Sequence, residues 1–511
     1  MKHKRLITSA ALVAIATVLV RFSGFIREVV LAAIYGAGSV SDAFVIAFTA
    51  PDIVLTVIGS STAVAFIPTF ARMENLKEKF TSNLLTILAL IGLVFSLVFT
   101  IVPQALTYLL ASQLDADTFA NATSLLRIMV WAAIPILLSR VLQSYLQIQK
   151  SFFLAALLTV PINIAAIISI VLSRTATMTI LMGYGVLAGN AITLAYMLAA
   201  SRRKGYTYHP ALKLRAPELR GLFILMAPIL LSTLISDLNT IVDRNFASSL
   251  ASGSISSLNY ANRTVGVLTA LIGQAAATVL YPRLAELSAQ GKTDEMRKIM
   301  SSSIKMLTPV LLPMVVGVIL LAKPLVFIMF ERGDFTSYDT QRTAECLMMY
   351  ATLILATSIT AVLNRAMFSL YDSKTPAIVT ALSVAIGIAI KFLMIGRFSH
   401  IGLALASSIA GLLTMLLLML ALRKRLGGLR LKSDNWEWVK TFIATALMGA
   451  AVGFGVRFLP VMAGGTMQCV LITGGLIFAG AGVYFLSHMV MRTLFLQEMI
   501  KFVRRLLSKP A

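Results

Sequence analysis

Apolar stretches of about 20 residues recur along almost the whole chain, and no other feature of the sequence constrains the fold so strongly. A helix of that length crosses a hydrocarbon core of about 30 Å. The chain has 511 residues, of which 58% are hydrophobic and only 13% are charged, whereas soluble proteins carry about a quarter charged residues. The sequence therefore predicts an all-α polytopic membrane protein without a separate soluble domain.

We predict about fourteen membrane-spanning helices from this pattern. Strands of a membrane barrel would instead alternate in segments of about ten residues, so the long continuous runs favour helices. Two divisions fall in short gaps, at residues 175–179 and 396–401. The predicted spans cover residues 6–34, 42–69, 82–110, 124–148, 153–173, 178–200, 220–246, 255–285, 303–330, 343–368, 377–399, 401–423, 438–460 and 468–490.

The positive charges indicate how these spans are oriented. Of the 44 Lys and Arg residues, thirty lie in the gaps on the side of the N-terminus and five lie in the gaps on the other side. Cytoplasmic loops carry such an excess, so both termini are expected in the cytoplasm. The net charge of +23 therefore reflects membrane topology, and no nucleic-acid partner is predicted.

The cysteines and histidines do not indicate a disulfide or a metal site. Cys346 and Cys469 both lie inside predicted spans, and the four histidines share no ligand spacing. The short "GAG" from Gly36 lacks the Lys and Ser/Thr of a phosphate-binding loop. We therefore predict no metal site and no cofactor.

An internal repeat predicts two similar halves. At an offset of 217 residues, Arg27 aligns with Arg244, Gly36 with Gly253, and Asp42 with Asn259. An even number of spans separates these pairs, so the halves keep the same topology, related by an axis along the membrane normal. The predicted architecture is one six-helix bundle over residues 1–204, a second over 205–425, and two further helices with a basic cytoplasmic tail over 426–511.

Charged residues inside the spans predict the transport pathway. A charge near the bilayer centre costs roughly 2.5–3.5 kcal/mol, so it usually faces a wet cavity or a partner. Arginines outnumber the deep acids, and a guanidinium fork suits phosphate oxygens. Arg21 and Glu28 share a helix face, so we expect them to pair. The candidate cavity residues from both halves are Arg21, Arg27, Glu28, Asp42, Asp52, Arg140, Gln143, Asp237, Arg244, Asn259, Arg263 and Arg365.

The chain resembles the MviN/MurJ family of bacterial lipid II flippases in two places. The first two helices of that family are similar to "RFSGFIREVVLAAIYGAGSVSDAFVIAFTAPDI" and "FIPTFA", and its eighth helix is similar to "SGSISSLNYANR" and "LYPRLAEL". The resemblance implies a fourteen-helix fold of the multidrug/oligosaccharidyl-lipid/polysaccharide exporter superfamily. It also implies outward movement of an undecaprenyl-diphosphate-linked peptidoglycan precursor by alternating access, in cell-wall biogenesis.

The resemblance also implies roles for individual residues. Arg21, Arg27 and Arg263 match basic residues, and Asp42 an acidic residue, that the family needs for function; these four are the predicted substrate-binding residues. The remaining candidates are predicted to line the cavity. The chain departs from the family at Leu55, Ser60 and Gly266, where charged residues are expected. These departures leave the coupling ion and the exact cargo open.

Three classes of function require different residues within the spans. A flippase for lipid II, or for another polyprenyl-diphosphate-linked saccharide, agrees with the excess of arginine. A cation or drug antiporter on the same fold would need more deep carboxylates, and a membrane enzyme would need clustered acids or a His/Asp group. We expect a monomeric transporter, not an enzyme, that meets lipid-linked saccharide, membrane lipids and cell-wall synthesis enzymes and is driven by the membrane potential or a monovalent ion.

Overall fold

The computed structural model describes the backbone of residues 2–71, 73, 77–175, 178–429 and 435–507, and side chains at 16–70, 73, 77–174, 178–227, 229–231, 233–234, 237–429 and 436–500. Every regular element in these ranges is helical, and they contain no strand. The α-helices are α1 (Lys2–Tyr35), α2 (Ser39–Ala71), α3 (Lys77–Ile101), α4 (Pro103–Leu110), α5 (Ala116–Met129), α6 (Ala133–Ile148), α7 (Phe152–Ala156), α8 (Val160–Thr175), α9 (Leu181–Arg202), α10 (Pro217–Ser248), α11 (Ser254–Thr269), α12 (Ala275–Ala289), α13 (Thr293–Phe330), α14 (Ser337–Tyr350), α15 (Thr352–Ser369), α16 (Lys374–Arg425), α17 (Asn435–Phe458), α18 (Gly465–Val490) and α19 (Leu494–Leu507).

Eleven helical segments within the described ranges are long and apolar enough to cross a membrane. The prediction of an all-α polytopic protein is thus confirmed, whereas the predicted number of fourteen spans is not. Helices α1 and α10, which cover the first and seventh predicted spans, both include residues whose side chains lie outside the described part. One segment, α16, covers two predicted spans and is interrupted at Ser399, where φ is 51° and ψ is −135°. This break falls within the predicted gap at residues 396–401.

Several predicted spans are divided by short irregular turns. Helix α3 ends at Ile101 and α4 begins at Pro103, because proline fixes φ and is favoured at the first helical position. A π-helical turn at Ala270–Gln274 separates α11 from α12. At that turn a methyl group on Gly273 would come within 2.5 Å of the Cα of Ser358, so the close approach of α15 requires glycine here.

The chain divides into two compact units. Unit 1 consists of residues 1–260 together with 332–339, and unit 2 of residues 261–331 together with 340–511. The division into residues 1–204, 205–425 and 426–511 rests on the internal repeat and stays a prediction. The basic residues of the predicted tail beyond residue 500 lie outside the described side chains.

Unit 1 is organised around α2 and α6. Helix α2 packs against α5, α6 and α10, while α1 packs on α8 and α8 on α9. Aromatic rings fill the centre of this core: Phe66 stacks on Phe80 at 5.9 Å, and Phe70 meets Tyr145 edge to face at 6.0 Å. Tyr206, from the segment after α9, joins the cluster at 5.4 Å from Tyr145. The segment between α9 and α10 is therefore part of the unit 1 core.

Unit 2 contains α13 packed against α15, α17 and α18, with α15 also packed on α12 and α16. A separate hydrophobic cluster joins α13 to the last two long helices through Leu321, Met448, Cys469 and Tyr484. The Tyr484 hydroxyl donates to the carbonyl oxygen of Pro309 at 2.6 Å. That carbonyl is available because Pro313, four residues later, has no N–H to bond it.

Gly333 lies against the backbone of α1 in unit 1, and its replacement provides a test of the packing there. A methyl group at Gly333 would lie 2.0 Å from the carbonyl oxygen of Ala33, and the φ of Gly333 is 62°. Gly291 has a similar φ of 68° but no atom within 4 Å of such a methyl group. We expect Gly291→Ala to lower the free energy of unfolding by about 1–2 kcal/mol through backbone strain alone, and Gly333→Ala to lower it by more. Equal shifts in the unfolding temperature would contradict this packing.

Asp372, in the connection between α15 and α16, makes stability depend on pH. The N–H and the hydroxyl of Thr375 donate to the Asp372 carboxylate at 3.0 and 2.8 Å, and Arg425 donates at 3.0 Å. These bonds, the Thr375 N–H first among them, hold the pKa of Asp372 below its ordinary 3.8. The folded state thus favours the ionised carboxylate. The contribution of Asp372 to stability is therefore complete above pH 3.8 and is lost as the pH falls below that value.

We expect the unfolding temperature to fall as the pH is lowered below 3.8, and Asp372→Asn to flatten that decrease. Unfolding would be followed in detergent by intrinsic fluorescence for both proteins. The same slope in the variant as in the wild type would show that Asp372 does not contribute.

Candidate functional site

Arg27 lies at the centre of a buried polar network in unit 1. Its side chain is only 3% exposed, although it is charged and lies within a predicted span. Nη2 of Arg27 donates to Oε1 of Glu28 at 2.5 Å, and Nη1 donates to Oδ1 of Asn163 on α8 at 3.1 Å. The guanidinium also lies 4.0 Å from the ring centroid of Phe48 on α2. Three helices therefore hold this one cation in place.

The network continues to α10 and α11 through Glu28. The amide of Asn259 donates to Oε2 of Glu28 at 2.9 Å and accepts from Nη2 of Arg244 at 3.0 Å. Arg244 also donates to the carbonyl oxygen of Ile255 at 3.3 Å. We call this set the arginine network: Ser23, Arg27, Glu28, Asn163, Arg244 and Asn259. It contains two guanidiniums and one carboxylate, and it joins the two arginines that the internal repeat aligns.

The expected pairing of Arg21 with Glu28 is wrong. The two residues do share a helix face, but seven residues of α-helix span about 10.5 Å, too far for an ion pair. Glu28 pairs instead with its neighbour Arg27, whose long side chain reaches round the helix. The side chain of Arg21 is exposed, so of the two predicted diphosphate ligands on α1 only Arg21 is accessible.

Asp42, at the start of α2, binds the start of α11. Its carboxylate accepts from the N–H of Gly253 and the N–H of Ser256, both at 2.7 Å, and the residue is 3% exposed. A carboxylate is favoured at a helix N-terminus, where N–H groups lack partners within the helix. Gly253 has a φ of 84° and its repeat partner Gly36 a φ of 60°, so the aligned glycines form similar turns. Asp42 therefore connects equivalent positions of the two repeats.

The other predicted cavity residues of unit 1 lie on α2, α6 and α10. Asp52 is exposed and accepts from the Thr56 hydroxyl at 2.9 Å, and its negative charge acts on Asp237 of α10. Arg140 is half-buried against Gly59, where a methyl group would lie 3.0 Å from its Cγ. Gln143 donates to the carbonyl oxygen of Ala155 at 2.8 Å. Gln143 thus joins two helices, whereas Asp52 and Asp237 are acidic residues outside the arginine network.

Unit 2 carries the two remaining predicted arginines. Arg263 is exposed on α11, and Arg365 of α15 lies with its guanidinium 5.2 Å from the ring centroid of Tyr281 on α12. At Gly266, one turn after Arg263, a side chain would meet no atom within 4 Å. The Cβ of a larger residue would meet no clash there, so crowding at the backbone does not explain why this chain has glycine.

The departure from the family pattern at Leu55 has a structural reason. Leu55 is fully buried in the hydrophobic cluster of unit 1, where a charged residue would be costly unless it were paired. Ser60 donates its hydroxyl to the carbonyl oxygen of Thr56 within the same helix. Helix α2 therefore uses these positions for packing and local hydrogen bonding.

Three residues of the site, Asn163, Ser23 and Phe48, were not predicted from the sequence. Asn163 bridges Arg27 and Ser23, donating to the Ser23 hydroxyl at 2.9 Å, and Phe48 covers the Arg27 guanidinium. The signal for Asn163 was a single amide in the apolar run "VPINIAAIISIVL". Phe48 gave no signal, because an aromatic residue in a membrane helix is ordinary.

The chemistry of this arrangement is anion binding. Guanidinium groups offer forked donors that match phosphate or carboxylate oxygens, and charges within membrane helices mark substrate pathways. In the described part of the chain, His, Cys, Asp and Glu residues form no group of three or more that would hold a metal ion. The helices and the arginine network together define a polytopic membrane transporter.

Known proteins resemble the chain over most of its length. A family model described as "Lipid II flippase MurJ" matches residues 31–473. A probable lipid II flippase MurJ of Bdellovibrio bacteriovorus is 28% identical over 447 residues, covering 84% of each chain. The lipid II flippase MurJ of Burkholderia cenocepacia is 27% identical over 460 residues, covering 85% of this chain and 86% of its own. The chain belongs to the lipid II flippase MurJ family, whose members are transporters and not enzymes.

Solved structures agree with this assignment. "Lipid II flippase MurJ, inward closed conformation" superposes with a TM-score of 0.82 at 25% identity, covering 96% of this chain and all of its own. An inward-facing multidrug transporter of the MATE family superposes with a TM-score of 0.69 at 14% identity, covering 82% of this chain and all of its own. The second likeness shows the fold alone. The protein is therefore a multi-pass bacterial membrane protein that shares its fold with these two transporters.

Proposed function

We propose that this protein moves lipid II, the undecaprenyl-diphosphate-linked peptidoglycan precursor, from the cytoplasmic to the outer leaflet by alternating access. The observation that carries the proposal is the arginine network, in which Glu28 bonds directly to Arg27 and is linked to Arg244 through the amide of Asn259. A diphosphate has the oxygen atoms that guanidinium donors select. The relatives named above support the same cargo.

The diphosphate exchanges with Glu28 in this proposal. One carboxylate oxygen of Glu28 accepts a hydrogen bond from Nη2 of Arg27, and the other accepts one from the amide of Asn259. An incoming phosphate oxygen takes the place of the Glu28 oxygen at Arg27, and Glu28 keeps its bond to Asn259. Because the phosphate must displace Glu28 from Arg27, the lost ion pair offsets part of the new interaction, and binding stays weak enough for release.

The accessible arginines contact the cargo before this exchange. Arg21 is exposed on α1 and Arg263 on α11, and the family resemblance implies that both bind the diphosphate. Arg140 and Arg365 are half-buried on α6 and α15 and provide positive charge along the path. Asp42 holds the start of α11 and controls access to Asn259 on that helix.

The orientation and the driving force follow from charge. Both termini are cytoplasmic in this proposal, because thirty of the basic residues lie on their side. The membrane potential acts on the basic transport site with about 2.3 kcal/mol per charge per 100 mV, which returns the empty transporter to its inward state. The protein works as a monomer on lipid-linked saccharide supplied by cell-wall synthesis enzymes.

Depletion of the protein in its own bacterium tests this function. We expect lipid II to accumulate in the cytoplasmic leaflet, measured by its loss of accessibility to an externally added lipid II-cleaving toxin. Re-expression of the wild-type protein is expected to restore access of the toxin to lipid II. Arg174→Gln should restore it equally, since Arg174 forms an exposed pair with Asp334. Unchanged access after depletion would reject the function, even if another polyprenyl-linked saccharide accumulated.

A further inference from the structure

The basic segment between α9 and α10 is fixed to the start of α3 by side-chain hydrogen bonds within unit 1. Asn83 donates to the carbonyl oxygen of Lys213 at 3.0 Å and accepts from its N–H at 2.7 Å. The Ser82 hydroxyl bonds to the hydroxyl of the buried Tyr206 at 3.0 Å and accepts from the N–H of His209 at 3.1 Å. The segment therefore has a defined path up to Lys213, although most of its side chains are exposed.

This fixed path forms an open groove where the segment meets α10. The groove has a volume of about 600 Å³ and is lined by Leu214, Arg215, Ala216, Leu219, Arg220, Phe223, Ile224 and Ala227. Leu219 packs into the core, whereas Leu214, Ile224 and Phe223 are 67%, 65% and 46% exposed. Six of the eight lining residues are apolar and the other two are arginines, so the lining carries positive charge only.

The two arginines lie where the predicted seventh span begins. Arg220 is its first residue, and Ile224 and Ala227 follow at spacings of four and seven on the same helix face, which extends about 10.5 Å along α10. Arginine at a membrane boundary places its charge at the depth of the lipid phosphates and its stem against apolar surface. The groove thus has a cationic end at the interface and an apolar wall that continues into the hydrocarbon.

We propose that this groove binds one anionic phospholipid, with the phosphate on Arg215 and Arg220 and an acyl chain along Leu214, Phe223 and Ile224. Charge complementarity identifies the occupant, because a zwitterionic lipid presents its own cation beside the phosphate. The site lies outside the arginine network and is independent of the proposed transport function. Its lipid would hold the segment before α10 against the membrane surface.

Native mass spectrometry of the full-length protein tests the proposal with dioleoyl-phosphatidylglycerol and dioleoyl-phosphatidylcholine as probes. Wild-type protein is expected to retain more phosphatidylglycerol than phosphatidylcholine, and the ratio of the two bound lipids measures this preference. Each arginine removed is expected to lower that preference about five-fold, so Arg215→Gln with Arg220→Gln lowers it about 25-fold. The matched control is Arg202→Gln with Arg203→Gln, two exposed arginines at the end of α9 outside the groove, which should change it less than two-fold.

Further outcomes separate a lipid site from a general basic surface. Equal losses in the two double variants, or no loss in the groove variant, would overturn the proposal. Phe223→Ala should weaken binding of the dioleoyl lipid more than that of a dihexanoyl phosphatidylglycerol, because the shorter chains cover less of the apolar wall. Displacement of the bound lipid by millimolar inorganic phosphate would also overturn it, since the acyl chain would then contribute nothing.

Discussion

Replacement of Arg27 by glutamine is expected to lower the free energy of unfolding by about 3–5 kcal/mol, the usual effect of removing one partner of a buried ion pair. Arg27 and Glu28 are 3% and 1% exposed and lie 2.5 Å apart. The variant keeps an amide donor but leaves the Glu28 charge buried without the guanidinium that neutralises it. Denaturant or thermal unfolding of the purified protein in detergent would measure the loss.

A double variant separates the charge effect from a packing effect. Arg27→Gln together with Glu28→Gln replaces both charges by amides of similar size, so most of the lost stability should return. Arg174→Gln is the control for removing an arginine at the surface, because Arg174 is 54% exposed, and it should cost less than about 1 kcal/mol. A double variant as unstable as the single one would mean that the ion pair is not what stabilises this region.

Replacement of Asp42 by alanine is expected to have the second largest effect. Two charge-assisted hydrogen bonds at 2.7 Å, to the N–H groups of Gly253 and Ser256, would be lost, and each is worth roughly 1.5–3 kcal/mol. The start of α11 would then be released from α2, and lipid II transport should fall with it. Asp42→Asn keeps one oxygen acceptor and should lie between the alanine variant and the wild type in stability and in rescue of a depleted strain.

Asp115 provides a matched control for Asp42. It also caps a helix, accepting from the N–H and hydroxyl of Thr118 at 2.9 and 2.7 Å at the start of α5. Both bonds are local, and they hold the pKa of Asp115 below its ordinary value. Asp115→Ala should therefore cost about 1 kcal/mol and leave rescue intact. If Asp42→Ala and Asp115→Ala rescue equally well, the contact between α2 and α11 has no role in transport.

Much of the helical architecture was predictable because lipid imposes a simple rule. Every backbone polar group within the bilayer must be bonded internally, so long apolar runs become helices. The glycine turns at Gly36 and Gly253 were predictable from the repeat, and both have positive φ. The interruption of α16 at Ser399 was also predictable, because it falls within the predicted gap at residues 396–401.

The partners within the arginine network were harder to predict than its members. Arg27, Glu28, Arg244 and Asn259 could each be selected as charged or polar residues in apolar spans. Helical geometry placed Arg21 and Glu28 on one face, yet two turns separate them along the axis, and Glu28 instead bonds to Asn259, 231 residues away in sequence. Contacts between helices depend on how helices pack, which one helix's periodicity does not contain. Asn163 was missed for the same reason.

Leaflet exchange by the Arg27→Gln/Glu28→Gln double variant tests the central claim most directly. Purified protein would be reconstituted into liposomes with fluorescent lipid II in both leaflets, and movement between leaflets measured by quenching from outside. The double variant is expected to fold, retain most of its stability and lose transport, because it lacks Arg27, the cation that passes from Glu28 to the diphosphate. Transport at the wild-type rate by this variant would contradict the account.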